Sequence, residues 1–205
     1  MGDGQRADTE DKASLPLRSA VARARWRHVS PVLQGARATL REPRQSDAEA
    51  LLSALSTTEV ARFISPPPDT VEKFEEFIAG ARAGRLSGDS ACLVVLPSGF
   101  SKPVGLFQVR RLDSGFSVAE WTFALGSEFW GEGLFYAAAP LVIDWIFDTL
   151  GAGRLEARSA LNNGRGNGAL RKLGAVQEAV LRKALLHNGE YVDQVLWTLT
   201  ADCWR

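Results

Sequence analysis

Polar and apolar residues alternate along several short stretches of this chain, with the two-residue period of a half-buried β-strand. Turn-forming Gly, Pro, Asp and Ser separate the second, third and fourth stretches, so we expect these three to form an antiparallel meander. The predicted strands are residues 36–41, 91–96, 104–111, 116–125, 154–160, 176–185 and 191–200.

Other stretches repeat their apolar residues every three or four positions, which is typical of an amphipathic helix. Ser46 and Glu49 have the spacing of a capping box, so a first helix is predicted to begin there. Further helices are expected at residues 71–84, 131–150 and 166–173. Because helices and strands are interleaved, the pattern predicts an α/β domain.

The first 30 residues mix Gly, Asp, Ser and Arg without a sustained period. We predict a flexible or partly helical N-terminal arm at residues 1–30 and a folded domain at residues 31–205. Four arginines surround a short apolar run at residues 17–26. Two interpretations stay open for this run: a docking arm for an acidic surface, or a poorly ordered terminus.

The 205 residues carry 24 Lys and Arg against 24 Asp and Glu, so the net charge is zero. A neutral chain lacks the overall attraction to nucleic acids or anionic membranes, and neither partner is expected. Two cysteines and two histidines complete no zinc spacing, so no metal is expected. The apolar residues 134–150 include one proline and two aspartates, a poor membrane span. With no hydrophobic signal core, the sequence favours a cytoplasmic enzyme.

A glycine-containing turn joins the predicted strand 116–125 to the predicted helix 131–150. Gly131 and Gly133 expose backbone amides at a helix N-terminus, where a phosphate anion binds readily. A dinucleotide fingerprint requires a third glycine where Tyr136 stands, and a Walker loop requires a lysine where Glu132 stands. The residues alone leave two alternatives, an anion-binding turn or a turn selected for close helix–sheet packing.

In this region the chain resembles the GNAT superfamily of acyl-CoA-dependent N-acetyltransferases, and in particular the branch of ribosomal-protein N-terminal acetyltransferases. Residues 31–41 resemble the first strand of that branch, residues 119–125 its fourth strand, and residues 129–133 its pyrophosphate loop. Asn163, followed by residues 170–175, resembles the family asparagine that precedes a Leu-x-Lys-Leu-Gly helix end. The four motifs occur in the family's order, and the resemblance covers nearly everything from Pro31 onward.

The resemblance implies the α/β (α+β) GNAT fold, a mixed, mostly antiparallel twisted sheet flanked by helices, with splayed fourth and fifth strands. Acetyl-CoA is then the co-substrate, with its pantetheine arm in the gap and its pyrophosphate on the loop amides. The glycine-rich residues 162–168 are either a loop that brings further polar side chains to such a ligand or a flexible connector between strand and helix. The cofactor-binding residues expected are Phe123, Ala124, Leu125, Trp130, Gly131, Glu132, Gly133, Leu134, Phe135, Asn163, Arg165 and Asn167.

Glu120 is the expected catalytic residue, because it stands where this branch carries a glutamate and a carboxylate can take the proton of an amine. The alternative is an ion-pair partner on the strand. A serine of the family is replaced by Gly166, and the tyrosine that serves many relatives as general acid aligns with Leu170. Water, Tyr136 or Tyr191 then remains as proton donor for the thiolate. An aromatic set, Trp121, Phe123, Trp145 and Trp197, either lines an acceptor pocket or belongs to the core.

These features predict transfer of an acetyl group from acetyl-CoA to a primary amine by direct attack. The acceptor is a protein N-terminus or a small-molecule amine, and a homodimer is left open. An alternative is a non-catalytic acyl-CoA-binding sensor or interaction module. A third interpretation, a nucleic-acid partner of the arginine-rich arm, predicts steep salt dependence.

Charge is unevenly distributed along this neutral chain. Residues 151–183 carry seven Lys and Arg against two Glu, whereas the loop expected to meet phosphates contains Glu128 and Glu132. We therefore expect Arg165, Arg171 and Lys172 to offset the acidic loop.

Overall fold

The computed structural model describes residues 25–64, 66–187 and 189–204. They form one eight-stranded sheet in the order β1-β2-β3-β4-β5-β6-β8-β7. All neighbouring strands are antiparallel except β5 and β6, which are parallel. The strands are β1 Val32–Gln34, β2 Ala38–Arg41, β3 Ser90–Pro97, β4 Gly105–Arg111, β5 Val118–Leu125, β6 Arg154–Ala160, β7 Val176–His187 and β8 Glu190–Thr200.

Helices lie on both faces of the sheet. They are α1 Ala48–Leu55, α2 Thr58–Ala61, α3 Val71–Ser87, α4 Leu134–Trp145, α5 Gly164–Lys172 and α6 Ala201–Trp204. A 3₁₀ turn at Gln45–Asp47 precedes α1, and a π-helical turn at Ile146–Leu150 continues α4. The mixed, mostly antiparallel sheet flanked by helices is confirmed.

The first predicted strand is the second strand of a hairpin in the structure. Val32–Gln34 folds back on Ala38–Arg41, with Leu33 opposite Leu40. Three residues are too few to show a two-residue period, which is why the sequence pattern predicted only the second strand of the pair.

The start of α1 is held by a carboxylate that the predicted capping box did not include. Asp47 is buried, and its Oδ2 accepts hydrogen bonds from the Arg44 backbone and from Arg41 Nη1, both at 2.7 Å. Burial acts to raise the pKa of Asp47, but these hydrogen bonds and the positive charge of Arg41 together hold it below 3.8, its ordinary value. Asp47 therefore fixes the 3₁₀ turn that leads into α1, whereas α1 itself has no side-chain cap.

Two apolar cores lie on opposite faces of the sheet. The larger one packs α4 against the sheet and includes Trp121, Trp145 and Trp197. The smaller one packs α1 and α3 through residues such as Leu51 and Phe74. Of the four aromatics considered for an acceptor pocket, Trp145 and Trp197 belong to the core alone, whereas Trp121 is a core residue that, like Phe123, also lines a cavity.

The folded unit begins before the predicted boundary at residue 31. Trp26 is 4% exposed and makes edge-to-face contacts with Phe116 and Trp145 at centroid distances of 5.8 and 6.0 Å. Residues 1–24 of the predicted arm lie outside the described residues. Within the part of the chain that is described, no helix combines the length and apolar character required to cross a membrane.

Candidate active site

β5 and β6 are neighbours in the sheet but pair only at one end. Their parallel pairing runs from Val118 opposite Arg154 to Glu120 opposite Glu156 and then stops. β6 instead continues along β8 as far as Ala160. The predicted splay of these two strands, the fourth and fifth of the sequence prediction, is confirmed, and the gap opens at Glu120.

A cleft of about 580 Å³ occupies this gap. Its walls are residues 120–124 of β5, residues 157–160 of β6 and the first turns of α5. Apolar side chains of α1, α3 and the segment between them extend the cleft, namely Leu55, Phe63, Ile64, Pro66, Pro67, Pro68, Phe74 and Phe77. A second hollow of about 280 Å³ shares Phe63, Ala160 and Leu185 with the cleft, so the two adjoin.

Residues 126–133, called the glycine loop below, connect β5 to α4. Gly131 and Gly133 have φ values of +84° and +75°, a left-handed conformation that favours glycine. Gly133 is the N-cap of the twelve-residue α4 and supplies no side-chain cap, so the first amides of the helix have no side-chain acceptor. Arg37 donates from Nη2 to the Glu132 carbonyl at 2.8 Å, which places a guanidinium beside the loop. This arrangement suits a pyrophosphate anion.

Trp130 connects the glycine loop to both sides of the gap. Its indole N–H donates to the Leu125 carbonyl at 2.9 Å, at the end of β5. The Arg165 guanidinium of α5 lies over the ring at 4.3 Å. Lys172 lies 5.9 Å from the ring of Tyr136 in the first turn of α4, whereas Arg171 lies over Trp197. Arg165 and Lys172 thus lie beside residues of the loop region, and Arg171 beside a residue of the core.

Aromatic packing supports the end of β5 and the beginning of α4. Phe123 and Phe135 have ring centroids 4.5 Å apart, and both contact Phe107. Phe123 and Ala124 line the cleft, while Leu125 and Leu134 are buried in the larger core. The predicted cofactor residues of this region therefore divide between the cleft lining and the core.

Glu120 lies where the gap opens and is 6% exposed. Its register partner across the β4–β5 ladder is Arg110, whose Nε donates to Oε2 at 2.5 Å. Arg158 of β6 approaches from the other side, with Nε 3.4 Å from Oε1. One carboxylate therefore faces two guanidiniums, and Oε1 is the less engaged oxygen. We call Arg110, Glu120 and Arg158 the acceptor end of the cleft, because Glu120 is the residue predicted to take the proton of an acceptor amine.

The two predicted asparagines have different surroundings. Asn163 lines the cleft and caps α5, with Oδ1 accepting from the Gly166 amide at 2.9 Å. Asn167 is buried; its amide donates to the Ala160 carbonyl at 2.9 Å and accepts from the Trp197 indole at 2.8 Å. Its side chain already joins α5 to β6 and β8, so we do not carry Asn167 into the proposed cofactor set.

The tyrosines named as alternative proton donors lie away from the cleft. Tyr136 is 39% exposed, Tyr191 is 64% exposed, and neither lines the cavity. Leu170 does line it, with no proton to give. A hydroxyl that the sequence interpretation overlooked, that of Ser159, is buried in the cleft wall.

Sequence reasoning also missed Arg37, Arg110 and Arg158. The hairpin register was available for Arg110, because a turn at residues 112–117 pairs it directly with Glu120. Arg37 and Arg158 carried no such signal, since their partners are 95 and 38 residues away in the chain.

Residues 37–176 match the family model described as "Acetyltransferase (GNAT) domain". The chain is 26% identical over 164 residues to an uncharacterized N-acetyltransferase, p20, of Bacillus licheniformis, covering 80% of this chain and 92% of p20. It is 24% identical over 179 residues to YdaF of Bacillus subtilis, whose name assigns it provisionally to ribosomal N-acetyltransferases, covering 81% and 91%.

A solved structure shares the fold of this chain. Mycobacterium smegmatis RimJ, in complex with CoA-disulfide, superposes with a TM-score of 0.76 at 20% identity. The match covers 86% of this chain and 89% of RimJ.

Proposed function

The chain belongs to the GNAT acetyltransferase family, and from that premise we propose that it transfers the acetyl group of acetyl-CoA to a primary amine by direct attack. One observation carries the proposal. The sheet opens between β5 and β6 immediately after Glu120, and the same β5 strand continues through the glycine loop into α4, whose first amides have no side-chain cap. The gap offers unpaired strand backbone for an extended arm, and the loop offers amides for its phosphates.

The residues present fit such a cofactor. The amides of residues 130–135 would hold the pyrophosphate, with Arg37 and Arg165 supplying the positive charge that Glu128 and Glu132 oppose. The backbone of residues 123–125 would hold the pantetheine arm, and Asn163 would face it from α5. When bound, acetyl-CoA supplies an activated thioester carbonyl.

The chain's own groups then have separate tasks. Backbone N–H groups of β5 polarise the thioester carbonyl as an oxyanion-type donor set. The amine nitrogen forms a bond to the carbonyl carbon, the C–S bond breaks, and the electron pair leaves with sulfur. Glu120 takes the amine proton at Oε1, the oxygen that Arg158 approaches only at 3.4 Å.

Charge in the cleft lining favours a particular kind of amine. Two guanidiniums, Arg110 and Arg158, line the cleft with one carboxylate, Glu120, so the lining carries a net positive charge. Glu156, the register partner of Glu120 on β6, pairs with Arg154 and does not line the cleft. A positive site repels the ammonium form and favours the neutral, nucleophilic amine. It also attracts an acceptor that carries an anionic group near its amine and disfavours a polycation such as an aminoglycoside.

The shape of the site favours a chain-like acceptor. The second hollow adjoins the cleft through Phe63, Ala160 and Leu185, which gives room for residues that follow a reacting N-terminus. The name of YdaF points to ribosomal proteins as acceptors of that relative. We therefore place a protein N-terminus ahead of small amines.

The test is an acceptor panel with acetyl-CoA as donor. N-terminal peptides with acidic, neutral and basic second residues are compared with a polyamine and an aminoglycoside, and free thiol is followed with time. Mass spectrometry then locates the acetyl group. We expect thiol release with peptides, fastest with an acidic second residue, and acetylation of the α-amine.

Binding provides the control. Acetyl-CoA should raise the unfolding temperature of the protein by mass action. Binding without thiol release for any amine would contradict the transfer proposal and support a non-catalytic CoA-binding module instead.

A further inference from the structure

Ser159 carries a buried hydroxyl that the fold does not use. The residue lies on β6, is 7% exposed and lines the cleft. Its Oγ has no hydrogen-bond partner among the described residues. Buried hydroxyls nearly always have a partner, and an unpaired one lowers the stability of the folded protein. A hydroxyl kept in this state indicates a partner that arrives from outside the chain.

The hydroxyl faces the first turn of α5. A Cβ atom added to Gly166 would stand 3.0 Å from Ser159 Oγ and 2.6 Å from Asn163 Nδ2. Gly166 is the position where the resembling branch carries a serine. The β6 hydroxyl therefore lies beside the space that a side chain at residue 166 would enter.

Two hydroxyl side chains line the described part of the cleft, and that of Ser159 is the buried one. Among the described residues that line the cavity, Thr122 has the other hydroxyl, and Thr122 is exposed on the face of β5 shared with Glu120. Leu170 stands where many relatives carry the general-acid tyrosine, and Tyr136 and Tyr191 do not line the cleft. The sulfur that leaves the carbonyl therefore needs another hydrogen-bond donor.

We propose that Ser159 is a further catalytic residue, whose hydroxyl donates a hydrogen bond to the sulfur that leaves the acetyl group. This inference rests on the proposed transfer. As the C–S bond breaks, its electron pair moves to sulfur, and the Ser159 O–H stabilises the developing negative charge while keeping its own proton. The thiolate later takes a proton from water, so Ser159 ends the reaction unchanged.

The test compares Ser159→Ala with Thr198→Val, a control that removes another buried hydroxyl. Thr198 is 3% exposed on β8, and its hydroxyl donates to Glu178 at 2.8 Å, outside the cleft. Three quantities are measured for each variant: kcat, the acidity of bound CoA thiol from its ultraviolet thiolate absorbance, and the Kd ratio of CoA to desulfo-CoA.

We expect Ser159→Ala to lower kcat roughly 10- to 100-fold, as for a lost hydrogen bond to a charged atom. The acid dissociation constant of the bound thiol should fall by a similar factor, and the preference for CoA over desulfo-CoA at alkaline pH should disappear. Its unfolding temperature should equal or exceed that of the parent, because an unpaired hydroxyl is removed. Thr198→Val should show the reverse pattern: a lower unfolding temperature with normal kcat and thiol acidity.

Unchanged kcat and thiol acidity in Ser159→Ala would overturn the inference. The thiol titration needs only bound CoA, so it remains decisive even if no amine is acetylated. Failure of the parent protein to release thiol would instead count against the proposed function, which separates the two failures.

Discussion

The glycine loop and the acceptor end of the cleft are built in different ways. At the glycine loop, one contiguous segment supplies backbone amides, and two left-handed glycines aim them. At the acceptor end, Glu120 and its two arginines come from three strands, and side-chain charge sets the chemistry. The proposed function therefore assigns cofactor affinity to backbone geometry, and rate and acceptor choice to charged side chains.

The largest effect should come from Glu120→Gln at the acceptor end. Loss of the proton acceptor is expected to lower kcat about 100-fold or more at neutral pH, while CoA affinity changes little. Gln keeps the size of the side chain, so the fold should persist. Steady-state kinetics and calorimetry measure the two effects; an unchanged kcat would show that Glu120 is only an ion-pair partner.

The next largest effect is expected from Asp47→Asn, which should lower the free energy of unfolding. It leaves Arg41 without its buried carboxylate, which should cost about 2–3 kcal/mol in chemical unfolding. Because the folded pKa of Asp47 lies below 3.8, its contribution is complete above that pH and is lost as the pH falls through the folded pKa.

The acid loss of stability should therefore be shallower in Asp47→Asn than in the parent below pH 3.8. Unfolding curves over an acid series measure this slope. Parallel slopes would rule out Asp47 as a source of the acid sensitivity.

Gly133→Ala should separate the cofactor end from the acceptor end. A side chain at φ +75° is strained, which should cost about 1–2 kcal/mol and turn the first amides of α4 away from the phosphates. We expect CoA affinity to fall about tenfold with acceptor preference intact.

Gly174→Ala is the matched control, because Gly174 has φ +87° and open space around its Cβ position. It should lose similar stability without losing CoA affinity. Equal CoA affinities in the two variants would place the phosphates elsewhere.

The smallest effect should come from reversing one charge at the acceptor end. Arg158→Glu is expected to shift the preference between peptides with acidic and basic second residues by about threefold to tenfold, because the arginine is 40% exposed and partly screened. Arg182→Glu, an exposed change on β7, is the control. A preference that stays constant would mean that Arg158 does not face the acceptor.

The contiguous end of the cleft was the predictable one. Gly131 and Gly133 stand between a strand pattern and a helix pattern, so the turn that they form was predictable from the sequence. The meander and the splayed strands followed from periodicity and from family resemblance. Boundaries were less accurate: the sequence pattern ended α3 at Gly84, whereas the structure ends it at Ser87, before the left-handed Gly88.

The acceptor end was harder, because its contacts join distant parts of the chain. The catalytic role of Glu120 stays a prediction, and its neighbour Arg158 reaches it only through a parallel pair that stops after three residues. The contacts of Asn167 were hidden for a similar reason: its sequence neighbours suggested a ligand loop, whereas its side chain bonds the distant Trp197. Trp26 was assigned to the arm because nothing local indicates that it packs on Phe116.

The contacts of Trp130 make it a built-in optical probe. Its indole donates to the end of β5 and lies under Arg165, so a ligand entering beside the loop changes the polarity around this ring. Trp145 and Trp197 are buried in the core, do not line the cleft and should emit constantly. Intrinsic fluorescence should therefore report cofactor entry in the unlabelled protein, and Trp130→Phe should remove that response.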